Sequence, residues 1–298
     1  MEDLTTLAAV PMPTEKIMPT DISNYESILK DLSIPPRPEA LTRIFAEMSQ
    51  DDPDLNRVGK IVQSDPAMTA GVLQVANSPL LGLNRKVGSI SQALSLLGLK
   101  NISNIATGVA IRQSLKGGGD GKAFQSFWDA AEKTALISAY LATQLRGIAS
   151  DVAFTFGLFH DCGVPLLMMR FPRYKATLAK AKTQGSGDFT TIEEDDTGTS
   201  HSILGYFLAK SWGLPDELCQ GVLLHHDLSA FRDKHTPGGV RNLIGLVHLA
   251  EYMQSRVMGN SGDADWIQFE EPIMEHFGLG EEDVANLSDA IAEALHIH

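Results

Sequence analysis

The stretch PEALTRIFAEMSQ, residues 38–50, places Leu41, Ile44, Phe45 and Met48 at i, i+3, i+4 and i+7. That spacing gathers apolar side chains on one face of an α-helix and would scatter them over both faces of a strand. The same period continues outward along the chain. Leu55, Val58, Ile61 and Val62 repeat it, and Asp65 followed by Pro66 is an N-cap and first-turn pair opening a helix through Met68, Val72, Val75 and Ala76. Ser89 or Ser91 can cap a short helix that Gly98 closes, and a longer one is predicted from Asn101 to Leu115. Further helices are predicted over 124–145, 152–169, 174–182, 201–212, 215–226, 242–258 and from Glu281 to the end, with QGSGDFTTIEEDDTGTS (184–200) as a polar loop. No stretch alternates at period two over strand length, so an all-α, multi-helix bundle is expected.

Composition agrees. The 298 residues are 43% hydrophobic, enough to bury a sizeable core. No apolar run is read as reaching the roughly 18 residues of a membrane helix, and the start MEDLTTLAAVPMPTEK lacks a basic region followed by a long apolar one, so a cytoplasmic protein without a membrane is expected. Cys162 and Cys219 read as reduced core residues. A net charge of -13 argues against nucleic acid, whose phosphates are held by clustered Lys and Arg. The charge is uneven. Residues 84–122 carry six bases against Asp120 alone, and residues 251–298 carry eleven acids against Arg256 alone. The basic stretch, with Arg85, Lys86, Lys100 and Arg112, is either an ordinary solvated face or a surface for an acidic partner. The expected organisation is a flexible extension (1–20), an N-terminal helical part (21–116), a glycine-rich connector (117–121, from KGGGDG), a helical core (122–258) and an acidic helical extension (259–298).

One segment fits an apolar core poorly. GLFHDCG, residues 157–163, sets His160 beside Asp161 between glycines, and an unpaired buried carboxylate is costly. A metal, a phosphate or a polar partner could answer it. His225 and His226 end a predicted helix, where the dipole favours imidazolium; of two adjacent helical histidines one is expected to face inward and one outward.

The motifs IPPRPEAL (34–41), QSDPAMTAGVLQVANSPLLGL (63–83), SISQALSLLGLKNISNIA (89–106), GLFHDCG and the stretch 193–226 ending WGLPDELCQGVLLHH together resemble the HDOD domain family of bacteria. The resemblance implies an HD-like helical fold with an N-terminal helical subdomain and a role in signal transduction, in a family distantly related to the HD metal-dependent phosphohydrolases and generally non-hydrolytic. In those hydrolases a His, an adjacent His-Asp pair and a later Asp bind a divalent metal, which polarises phosphoryl oxygen and acidifies water. Here the pair is His160 and Asp161, the first His is replaced by Ala130, the last Asp by Glu251, and the Lys of an active HDxGK motif by Val164.

No metal is therefore expected. If one binds, His160, Asp161 and Glu251 are its ligands, with His201, His225 or His226 as conceivable substitutes, and Mg, Mn or Fe as the ion. The alternative is a buried polar network of Glu193, Asp161 and His201. The expected function is a non-catalytic module that binds regulatory proteins, through a surface including Arg85, Lys86, Lys100 and Arg112. The alternatives are a metal-dependent phosphohydrolase acting on a nucleotide or cyclic dinucleotide, and a nucleotide sensor that does not hydrolyse.

Overall fold

The computed structural model describes residues 34–81, 83, 85–115, 121–184, 189–259 and 264–295. The expected extension 1–20 and the glycines 117–119 lie outside them. Among the described residues there is no strand, and the fold is all-α. The N-terminal helices are α1 (Glu39–Met48), α2 (Leu55–Gln63), α3 (Pro66–Ala76) and α4 (Ile90–Ser114). Their starts follow local chemistry. The Asp65 carboxylate accepts from the backbone N–H of Ala67 and Met68 at 2.9 and 3.0 Å, and Ser89 caps α4 by accepting from Gln92 N–H. Gly98, at φ 79°, bends α4 where the sequence placed a helix end.

The remaining helices are α5 (Gly121–Gln144), α6 (Ser150–Phe159), α7 (Gly163–Arg170), α8 (Tyr174–Gln184), α9 (Phe189–Thr197), α10 (His201–Ser211), α11 (Asp216–Leu224), α12 (Leu228–Arg232), α13 (Gly238–Val257), α14 (Ala264–Phe277) and α15 (Glu281–Ala294). Helix α6 packs lengthwise on α5 and against α4. Helix α13 lies on α5 and α11, and α10 lies on α11 and α7. Residues Pro35 to His298 form one compact unit, with Trp212, Phe156, Phe159 and Ile244 fully buried in its centre.

Five expectations are corrected. The predicted helix 152–169 is two helices, broken at His160–Cys162. Pro165 explains the break: in a continuous helix its ring would collide with the carbonyl of Asp161, whereas in the first turn of α7 it is tolerated. The predicted loop 184–200 contains helix α9, because Ile192 and Glu193 are buried and the helix packs on α8, so tertiary contact overrides a polar composition. The helix predicted over 242–258 begins four residues earlier, at Gly238, and Gly121, assigned to the connector, is the first residue of α5. Finally, two stretches, Ile90–Ser114 and Ser150–Arg170, are long and apolar enough to cross a membrane by length and composition. The first is bent, the second broken, and both supply core.

Gly163 sets how closely α7 approaches α10. A Cβ there would meet the carbonyl oxygen of His201 at 2.0 Å and its carbon at 2.7 Å, which is backbone that cannot swing away. Gly163→Ala is therefore expected to cost at least about 1–3 kcal/mol by forced separation of the two helices. Thermal unfolding would register it as a fall in Tm; an unchanged Tm would mean that the approach is not rigid.

Candidate functional site

The helix break carries the site. Its turn is closed by Val164 N–H donating to Asp161 O at 2.9 Å and Cys162 N–H to Phe159 O at 2.9 Å, and at this end of a buried helix His160 is buried and Asp161 part-exposed. Three other elements meet them. Helix α10 begins with His201, α11 is followed at once by His225 and His226, and α13 carries Glu251. All seven residues singled out from the sequence are brought together, with Glu193 standing behind His201.

His160 is fully engaged. Its Nδ1 is 2.8 Å from Gly157 O, and its Nε2 is 3.2 Å from Glu251 Oε1 and 3.6 Å from Asp161 Oδ2. Burial works against charge on this ring, but the carboxylates of Asp161 and Glu251 outweigh it and raise its pKa to about 9. His160 is thus itself the cation between two carboxylates, and burial of those acids is likewise outweighed by its charge, so both are held below their usual range.

The second group of contacts is tighter. Asp161 Oδ1 lies 3.2 Å from His201 Nε2 and 3.4 Å from His225 Nε2. His201 Nε2 is also 3.2 Å from His225 Nε2, 3.1 Å from His226 Nε2 and 3.4 Å from Ser202 Oγ. Behind it, His201 Nδ1 and backbone N–H donate to Glu193 Oε2 at 2.6 and 3.0 Å, and Tyr174 Oη donates to the other carboxylate oxygen. Glu193 and His201 are both fully buried. Burial opposes their ionisation, yet their mutual attraction depresses Glu193 and lifts His201 to about 10. The expected network of Glu193, Asp161 and His201 is therefore present in geometry.

The two adjacent histidines depart from expectation. Both face inward, His225 wholly buried and His226 with 12% of its side chain exposed, because α11 ends at Leu224 and the chain turns before Asp227 caps α12. His225 is not the imidazolium that a helix end would favour. Burial and the neighbouring His226 hold it well below its ordinary pKa. Sequence reasoning also missed Asp265, on α14, whose Oδ2 lies 2.6 Å from His226 Nδ1, and His248, which donates to His225 O at 2.6 Å. The spacing of His248 and Glu251, three residues apart on one helix, could have flagged the former. Nothing in the acidic run 251–298 distinguishes Asp265.

Two donor sets thus have atoms within 4.8 Å of one another: His160, Asp161 and Glu251; and Asp161, His201, His225 and His226. Beside them lies a cavity of about 460 Å³, lined by Ala130, Thr134, His160, Asp161, Glu251 and Gln254 among others, with no Lys or Arg in its wall among the described residues. Ala130 thus faces the same space as His160, Asp161 and Glu251. Of the surface residues, Arg85, Lys86 and Lys100 are exposed, while Arg112 is paired with Asp129 at 3.2 Å and Glu132 at 3.1 Å.

The family profile described as the HDOD domain matches residues 34–228, about two thirds of the chain. This chain belongs to the HDOD domain family. An HDOD domain protein from Geobacter sulfurreducens with unknown function superimposes with a TM-score of 0.70 at 22% identity, over 93% of this chain and 96% of that one. A protein of Shewanella amazonensis provisionally named a phosphohydrolase gives 0.67 at 22% identity, over 91% and 94%. At such identities the likeness establishes the HD-like fold. An uncharacterized protein of Treponema pallidum is 22% identical over 286 residues, covering 95% of this chain and 54% of that relative, so the HDOD chain spans about half the relative's length.

Proposed function

We propose that this HDOD chain is a non-catalytic signalling module that acts by binding regulatory protein partners. The observation that carries the reading is the composition of the cavity. Ala130 supplies no ligand to it, His160 is engaged between Glu251 and Asp161, and among the described residues no Lys or Arg lines the wall to hold a phosphoryl group. A metal held by His160, Asp161 and Glu251 would polarise a phosphoryl oxygen and acidify bound water. Those three donors could reach one ion, which favours phosphohydrolysis as the second reading. They are, however, already satisfied by one another. The exposed pair Arg85 and Lys86 belongs to the basic stretch that suits an acidic protein partner.

The test is turnover of a generic phosphodiester by the purified chain with Mn²⁺, Fe²⁺ or Mg²⁺. No rate above buffer is expected from the wild type. Ala130→His should restore a fourth donor and strengthen Mn²⁺ binding by at least about tenfold, equivalent to about 1.4 kcal/mol, in calorimetric titration. Wild-type turnover that His160→Ala abolishes would reject the binding-module reading in favour of the hydrolase. Partners recovered from the native cell should be lost when Arg85 and Lys86 are reversed in charge.

A further inference from the structure

We propose that a second cavity, of about 640 Å³ between α1 and α4 on one side and α6 and the α10–α11 turn on the other, binds a small amphipathic anion. The ligand is a carboxylate or phosphate on an apolar body that also carries a hydrogen-bond donor. Among the described residues this cavity shares none of its lining with the 460 Å³ cavity beside the histidines. The inference goes beyond the binding-module reading and does not rest on it. A concave, partly apolar space of this size with a few convergent polar groups is what small-ligand sites are made of.

Two cations face it. Arg37 is held rigidly: its Nη1 donates to Trp212 O at 2.7 Å, its Nε to Thr42 Oγ1 at 3.2 Å, and its guanidinium lies over the Phe45 ring at 5.1 Å. None of these contacts neutralises the charge, and they leave N–H groups to spare. Among the described residues no carboxylate pairs with Arg37 or with the exposed Lys100, whereas Arg112 has two carboxylates on it. A guanidinium fixed in place with donors unused is suited to a carboxylate or phosphate, and a lysine beside the same space adds a point charge.

The far wall asks for a donor. Asp151, in the first turn of α6, lines the same cavity and pairs with neither cation. Its carboxylate is reached by Asn104 Nδ2 at 3.5 Å, a weaker contact than the 3.2 Å from that amide to Asp151 O, so acceptor capacity remains. Lys100, Ser103 and Asn104 stand at i, i+3 and i+4 and turn one face of α4 to the cavity. Ser103 is 3% exposed, and its Oγ has no hydrogen-bond partner among the described residues. A buried hydroxyl left unpaired is costly, and a ligand's polar group would satisfy it. Phe45, Met48, Leu214, Pro215 and Leu218 supply the apolar surface, which an inorganic anion would leave uncovered.

Anilinonaphthalene sulfonate, an anion on apolar rings with an N–H donor, is the probe. The full chain should bind about one equivalent with enhanced fluorescence, and the uncharged phenylnaphthylamine, the same rings without the sulfonate, should bind at least about tenfold more weakly. Lys100→Glu, at an exposed position, should weaken the charged dye about tenfold or more. Ala46→Trp, at an exposed position in the α1 wall, should block it with Tm unchanged. Ser103→Ala should not lower Tm, since no bond is lost. Displacement of the dye by adenosine monophosphate would mark the natural head group as a phosphate, and displacement by indoleacetate as a carboxylate. Displacement by neither, equal binding of the uncharged dye, or dye binding that survives both Lys100→Glu and Ala46→Trp would overturn the site. These readouts are independent of phosphodiester turnover and of partner recovery, so the binding-module reading stands or falls separately.

Discussion

Glu193→Ala is expected to lower stability by about 3–5 kcal/mol, the cost of leaving a buried ionic partner uncompensated. Glu193 is completely buried, and its carboxylate receives the Nδ1–H and backbone N–H of His201 and the hydroxyl of Tyr174. Removing it strands three buried donors and leaves a cavity in their midst. It also frees the His201 ring to rotate away from Asp161. Glu193→Gln keeps the volume and one acceptor oxygen but not the charge, so it should fall between wild type and Glu193→Ala. Chemical denaturation with unchanged m-value would measure both. Equal stability of the Ala variant would show that His201 and Tyr174 find other partners and that the residue only fills space.

Much of this fold was legible because its helices are amphipathic and capped by their own sequences. Leu41 and Ile44 are fully buried on the face their spacing indicates, and Asp65 and Ser89 cap where they stand. The site was legible where chemistry was out of place, as with a His-Asp pair in an apolar segment, while Glu193 and His201 stood out only through the family resemblance. What escaped has physical causes. Pro165 forbids a helical backbone contact four residues earlier, which the apolar period over 152–169 hides, so periodicity alone does not show the break that creates the site. Helix α9 is held by burial of Ile192 and Glu193 against other helices, which no local pattern records. The orientation of His226 depends on where α11 stops, at Leu224 and not at 226 as its pattern predicts. Asp265 acquires its role only from the packing of α14 on α13, and along the sequence it is one acid among eleven.

Trp212→Ala is the second large loss expected, about 3–5 kcal/mol, which for a domain of this size lowers Tm by about 6–20 °C. Trp212 is fully buried at the end of α10 and meets Phe159 edge-on at 6.2 Å. Its indole N–H donates to Pro35 O at 2.9 Å, while its own carbonyl accepts from Arg37 at 2.7 Å. The side chain therefore fills core volume and also fastens the first described segment to the domain. Trp212→Phe separates these roles: it retains most of the volume and should cost about 1 kcal/mol for the lost N–H bond, plus whatever packing the smaller ring gives up. Because Phe159 immediately precedes His160, the Ala variant also loosens the wall that fixes the helix break. Faster hydrogen exchange of the Cys162 and Val164 backbone N–H groups that close the turn is the expected sign of that coupling. Loss of stability with that exchange unchanged would show that the break is held by Gly163 and Pro165 alone.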